Sequence, residues 1–269
     1  MDTLIYLIPF FFVISIIYSS IGFGGGSSYV AIMALFAFPY TQIPKVSLLC
    51  NIIVVIGGCY FYYKAGHLKI SKALPFILGS IPLSFIGGKL IIAREFFLFL
   101  LAISLIVAAL NLLFFNPKNS IKNYTLHIKN KNQIKKNNTQ FNMNLINSTI
   151  IGGILGLMSG LVGIGGGIFL SPILFLKRWG YAKEIAATSS FFILVNSVVG
   201  LIGQFSKANF MAGYELQFIL PLVITVFLGG QIGSRISVFK LSDVIVKKTT
   251  AVVVLSVGIR ILVKLSFVS

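Results

Sequence analysis

Gly22-Phe23-Gly24-Gly25-Gly26 follows the first apolar run of this chain, and 141 residues further on Gly163-Ile164-Gly165-Gly166-Gly167 follows another. Three consecutive glycines in an apolar segment interrupt a helix and bare its backbone amides. The repetition extends outward from the glycines. Lys45-Val46-Ser47-Leu48-Leu49-Cys50 lies at the same offset from Ala186-Ala187-Thr188-Ser189-Ser190-Phe191. Pro75 and Gly87 correspond to Pro221 and Gly233 at an offset of 146. Each half therefore follows one plan: an apolar run, G-x-G-G-G, a second apolar run, a Pro- or Gly-marked turn, a helix start rich in small polar residues, and two further helices. A duplicated unit of this kind is the usual build of a secondary transporter.

Composition places that duplication in a bilayer. Of the 269 residues 57% are hydrophobic and only 10% are charged, too little polar surface to cover a soluble core but ample for a chain whose outer face is solvated by lipid. Apolar runs at 4–21, 27–44, 46–63, 73–93, 96–115, 145–162, 168–182, 185–205, 216–236 and 249–267 are too long and continuous for strands and predict membrane helices. The fold class expected is an all-α polytopic membrane protein with two inverted repeats, each holding a glycine-broken first helix and three further membrane helices. The first repeat covers 1–115 and the second 143–269. Between them, 116–142 is an Asn/Lys-rich connector that cannot bury a core. The first segment lacks the basic start of a secretory signal, and Asp2 precedes it.

The net charge of +17 does not point to nucleic acid, because the Lys and Arg residues flank apolar runs and no basic stretch carries interleaved aromatics. Their distribution bears on topology. If each glycine motif sits within one crossing, the halves are parallel and 12 of the 22 basic residues share one side. If the motif separates two segments, spanning or re-entrant, the halves are inverted and 16 of the 22 lie on the connector side. The positive-inside rule favours the second arrangement, with the connector cytoplasmic and both termini outside. Cys50 and Cys59, nine apart on one segment, point to opposite helix faces and cannot pair.

The chemistry available is that of an anion site without charged side chains. A helix beginning after G-x-G-G-G presents unpaired N–H groups and a partial positive charge. The candidate substrate-binding residues are Gly24, Gly25, Gly26 and Ser27 in the first half and Gly165, Gly166 and Gly167 in the second. Ser47, Asn51, Thr188, Ser189 and Asn196 join them as uncharged donors on the small-polar helices. The competing reading is close helix packing through small residues with interhelical hydrogen bonds, worth only about 0.6 kcal/mol each on average. A dinucleotide fingerprint fails, since its third glycine falls on Ser27 or Ile168. The five acids (Asp2, Glu95, Glu184, Glu215 and Asp243) lie at the terminus, at segment ends or in a loop, and His67 and His127 fall in polar connections. A cation pathway or proton relay usually needs such groups mid-membrane. No metal, cofactor or catalytic set is expected. Lys45, and the aligned pair Lys89 and Arg235, are cations that could draw an anion into a vestibule.

The duplicated G-x-G-G-G, the Ala187-Thr188-Ser189-Ser190 helix start and the Gly/Pro pattern through Gly233 resemble the sulfite exporter TauE/SafE family of membrane permeases over nearly the whole chain outside 116–142. The first half departs from the family pattern at Lys45-Val46-Ser47, which stands in place of an Ala-Thr-Ser start. The resemblance implies a multi-pass permease of the cell membrane that moves sulfite, an organosulfonate or a related sulfur-containing anion. The alternatives are a non-transporting membrane scaffold or assembly protein and, against the missing carboxylates, a cation carrier. The partners expected are the small anion and the lipid bilayer, with no nucleic acid; the sequence also allows a second copy of the chain.

Overall fold

A computed structural model describes residues 2–21, 24–114, 144–177, 179–180, 182–207, 215–236 and 243–266. The connector expected at 116–142 lies outside the described residues. The first half contains α1 (Asp2–Ile21), α2 (Gly26–Leu35), α3 (Ile43–Lys64), α4 (Ile70–Lys89) and α5 (Arg94–Phe114). The second contains α6 (Leu145–Val162), α7 (Gly167–Leu176), α8 (Ala182–Phe205), α9 (Glu215–Ile236) and α10 (Asp243–Ser266). Among the described residues there is no strand, and five helices (α3 to α6 and α8) are long and apolar enough to cross a membrane. The lipid-facing sides are legible as stripes. On α5, Phe96, Phe99, Ile103, Val107 and Leu110 are exposed while Phe97, Leu101, Leu105 and Ala109 are buried, the three-to-four spacing of one helix face.

The runs 27–44 and 168–182, expected as full membrane helices, are instead ten-residue helices followed by turns. Ten residues rise only about 15 Å, half a bilayer core. Both helices stop by the same backbone closure. Phe38 N–H donates to the Met33 carbonyl and Trp179 N–H to the Leu174 carbonyl, each at 2.9 Å, the six-to-one bond of a Schellman ending. In the first case Ala37 takes the left-handed conformation, φ 55°, and Pro39 follows.

Each glycine motif lies at the bend of a hairpin, with Gly22 and Phe23 of the first outside the described residues. Near the first bend Tyr18 Oη and Ser28 Oγ are 2.9 Å apart. Farther from it the Phe11 and Tyr29 rings lie 4.7 Å apart, and the Tyr6 and Phe10 rings each lie 5.9 Å from Phe36. Thus α2 runs back along α1. In the second half Leu170 and Leu174 of α7 share an apolar cluster with Ile151 and Leu155 of α6 and with Ala73 and Ile185 at the starts of α4 and α8.

The halves interlock by exchange. The first helix of each packs along the fourth helix of the other, α1 on α9 and α6 on α4, and the repeat counterparts α3 and α8 pack on each other, as do α5 and α10. Glycines make these approaches close. Gly152 and Gly79 sit against the Phe76 and Thr149 backbones, Gly229 against Phe12 and Ser15, and Gly233 against Ile16 and Ser19. A Cβ added to Gly156 would stand 2.6 Å from the Ser80 carbonyl oxygen, and a helix backbone cannot yield as a flexible side chain can. Gly156→Val is therefore expected to destabilise the folded protein by about 3 kcal/mol, read as a lower unfolding midpoint in detergent. Gly57→Val, at a position where an added Cβ meets nothing within 4 Å, should leave the midpoint close to that of the unaltered chain.

Candidate functional site

The two glycine turns, 141 residues apart in sequence, meet on α3. A Cβ on Gly26 would lie 2.5 Å from the Ile164 carbonyl oxygen and 2.6 Å from Asn51 Nδ2. One on Gly24 would lie 2.6 Å from Asn51 Oδ1, and one on Gly165 would lie 2.9 Å from Asn51 Nδ2. Asn51 is thus enclosed by both motifs. The second turn also needs glycine for its backbone, since Gly163, Gly165 and Gly166 have φ of +85°, +85° and +75°, a region L side chains avoid. Gly25 faces its own hairpin, abutting Ile14 and Tyr29, whereas Gly166 abuts Phe192 of α8 and the Leu155 carbonyl of α6.

A chain that turns inside a bilayer must find partners for its freed polar groups. Ser47, one helical turn before Asn51, supplies them. Its hydroxyl donates to the Gly163 carbonyl at 2.7 Å and reaches the Gly26 carbonyl at 3.3 Å. Asn51 Nδ2 reaches the same Gly163 oxygen at 3.5 Å. Among the described residues, Tyr29 N–H is the first in α2 to bond back, to the Gly25 carbonyl, and Phe169 N–H the first in α7, to Gly166. The amides of Gly26, Ser27 and Ser28, and of Gly167 and Ile168, precede those bonds and carry the positive ends of two helix dipoles.

The structure brings Gly24, Gly26, Gly165, Ser47 and Asn51 together. Gly167 and Ser189 adjoin them, a Cβ on Gly167 lying 2.9 Å from the Ser189 carbonyl oxygen. Ser189 Oγ accepts the Ser171 hydroxyl at 2.7 Å, which leaves its own proton to donate. Thr188 and Ser27 are buried nearby on α8 and α2. Asn196 serves another purpose: its Nδ2 donates to the Phe192 carbonyl at 2.8 Å and its backbone carbonyl accepts Ser84 Oγ at 2.9 Å, which ties α8 to α4.

Sequence reading did not single out Ser197 or Ile193. Ile193 covers Gly24, Gly165 and Gly167, and Ser197 Oγ lies 3.4 Å from the Cβ position of Gly165. Both follow the small-polar start of α8 at helical spacing, a signal that was present but shared with the packing face. The turns are closed over: Gly25, Gly26 and residues 163–167 are all buried, while Gly24 is half-buried. Within this closed arrangement Asn51 Oδ1, Asn196 Oδ1, Ser197 Oγ and Tyr29 Oη are buried without a hydrogen-bond partner among the described residues, a costly condition for polar atoms in a low-dielectric interior.

Charge is confined to the ends of the α3–α8 pair. Where α4 and α8 begin, Lys69 Nζ and Glu184 Oε1 form an ion pair at 2.5 Å, and Lys72 lies 5.7 Å from the centre of the Trp179 ring. At the other end Lys207 Nζ donates to Gln204 Oε1 at 2.8 Å. Lys89 is exposed at the end of α4; Arg235 lies in α9, with its side chain outside the described residues.

The model of the sulfite exporter TauE/SafE family matches residues 7–261. A probable membrane transporter protein, y4hK, of Sinorhizobium fredii is 31% identical over 253 residues, covering 94% of this chain and 95% of its own length. A probable membrane transporter protein, YunE, of Bacillus subtilis is 26% identical over 238 residues, 81% of this chain and 83% of its own. No solved structure matches the chain. The family match, which runs through both glycine-bent halves, makes this multi-pass membrane protein a member of the sulfite exporter TauE/SafE family.

Proposed function

We propose that this chain is a carrier of the cell membrane for a small sulfur-containing anion, sulfite or a sulfonate, working by alternating access between two inverted halves. The observation that carries the reading is the meeting of two glycine turns from opposite halves on Asn51 and Ser47. An oxyanion admitted there is held by main-chain amides at two helix starts and by neutral donors, with no counter-charge to displace. The opposite orientation of the halves is supported by the course of repeat counterparts. On α3, Leu48 adjoins Gly200 of α8, whereas Asn51, farther along α3, is grouped through Gly165 with Ile193 and Ser197, earlier on α8, so the two run antiparallel. The same orientation gathers 16 of the 22 basic residues on the connector side.

The buried turns describe a closed arrangement, in which Ile193 seals the space that substrate would use. Opening moves the hairpins apart and offers the Asn51 amide and the Ser197 and Ser189 hydroxyls to the anion. Unpartnered polar atoms count against a permanently dry interface, because a scaffold gains nothing from leaving Asn51 Oδ1 and Ser197 Oγ unsatisfied.

Liposomes containing the full chain should take up sulfite, sulfate or a sulfonate. Asn51→Leu is expected to slow uptake by about tenfold, the loss of roughly one charge-assisted hydrogen bond. Asn51→Asp, which sets a carboxylate among donors meant for an anion, should nearly abolish it. Gly25→Val combined with Gly166→Val should stop transport by wedging both hairpins. The proposal fails if no small anion moves, or if the double valine variant transports normally. A chain that moves no anion but co-purifies with a membrane partner would establish the scaffold role instead.

A further inference from the structure

The Asn51 amide has two ends, and only one of them has a partner. Nδ2 points to the side where carbonyls lie. It reaches the Gly163 oxygen at 3.5 Å, and a Cβ on Gly26 would stand 2.6 Å from Nδ2 and 2.5 Å from the Ile164 oxygen. Turning the amide over would set Oδ1 against those carbonyls, so they fix its orientation. Oδ1 therefore faces the other way, toward Gly24, whose added Cβ would stand 2.6 Å from it. Asn51 is 0% exposed, and Oδ1 has no hydrogen-bond partner among the described residues.

The two sides of the amide differ in character. On the Nδ2 side are the start of α2 at Gly26 and, in the second turn, Gly165. A Cβ on Gly165 would lie 2.9 Å from Nδ2 and 3.4 Å from Ser197 Oγ. That is a side of donors. On the Oδ1 side the Cβ position of Gly24 is also 3.2 Å from Ile193 Cγ2, so a methyl group stands beside an acceptor. Gly24 is the half-buried residue of the described turns, which puts the acceptor behind their least covered point. The second half has no matching amide: 141 residues after Asn51 stands Phe192.

We infer that the anion of this site carries a hydroxyl group on a short carbon stem, and that Asn51 Oδ1 accepts its proton. The inference rests on the transport reading above for the anion and adds the second group. A bare sulfonate presents only acceptors, so it answers the donors and leaves Oδ1 facing nothing or another oxygen. A hydroxyl gives Oδ1 the donor it lacks, and the methylene that carries it packs on Ile193. A buried acceptor left unpaired is costly, whereas an apolar side chain of similar shape would not be. Because only one half supplies the amide, the site reads one hydroxyl.

Calorimetric titration of the full chain in detergent micelles tests this with hydroxyethanesulfonate, methoxyethanesulfonate and ethanesulfonate, which share one charge and differ in the donor. The hydroxyl compound is expected to bind about tenfold more tightly than the other two. Asn51→Leu should make the three bind alike. Gly24→Ala, whose methyl takes the place of the incoming hydroxyl, should also erase the preference while ethanesulfonate binding changes little. The comparison on the unaltered chain needs no variant, so it decides the matter even where a substitution unfolds the bundle. Equal binding of the three there overturns the inference and leaves Oδ1 to a buried water. So does a preference that survives Asn51→Leu, or sulfite bound as tightly as hydroxyethanesulfonate. A preference that appears only with sodium would assign Oδ1 to a cation and overturn it as well. Liposome uptake separates the two readings. Tighter binding of the hydroxyl compound without uptake of any anion defeats transport and leaves the inference, whereas uptake of all three sulfonates at equal affinity defeats the inference and leaves transport.

Discussion

A backbone that bends inside a hydrocarbon layer has to satisfy its own amides and carbonyls, and that requirement organises this protein. The bend at the second glycine motif frees the Gly163 carbonyl within the bundle, and Ser47 Oγ donates to it while lying 3.3 Å from the Gly26 carbonyl of the first motif. Because Ser47 belongs to the first half and Gly163 to the second, the same bond that makes one bend tolerable also holds the halves together. Asn51, a turn further along α3, fills the space between the motifs and reinforces the contact. The proposed anion site and the structural repair therefore draw on the same atoms. A site assembled this way can bind negative charge without burying a cation, since the helix starts supply the positive potential.

Close approach is the second constraint. Water does not drive helices together in lipid, so association depends on packing and on hydrogen bonds. The α4–α6 and α1–α9 pairs show one solution used twice. Gly79, Gly152, Gly156 and Gly160 admit backbone to backbone on one side of the molecule, and Gly229 and Gly233 do so on the other. Each half gives its first helix to the fourth helix of the other half, so neither half buries its own glycine faces alone. The bends can then sit at the centre only when both halves are present.

Much of this was legible in the residues. The duplicated G-x-G-G-G located both bends. Ser47 and Asn51 stood out because polar side chains at the start of an apolar helix need a reason. Other features were hidden. The run at 27–44 read as a full span because hydropathy continues through Phe36 and Phe38 past the end of α2, and apolar loop residues look no different from helical ones; at 168–182 the helix ends at Leu176, where Lys177 and Arg178 interrupt the run. Asn196 read as a site residue by composition, yet its amide turns back to its own helix. Ser197 and Ile193 lay in the same stretch as residues that were noticed, but only distance distinguishes a side chain that touches a glycine turn from one that faces a neighbouring helix.

By itself the sequence determined that the chain lives in a membrane, that it is built twice from one plan, and that glycine interrupts a helix in each copy. Those properties depend on composition, periodicity and backbone permissiveness, which are local to the chain. The tertiary structure alone decided that both interruptions are hairpin bends, that they meet on Asn51, and that Lys69 finds Glu184. Those outcomes join residues more than a hundred positions apart, and they are settled by which surfaces fit when two halves with glycine-lined faces bury them against each other.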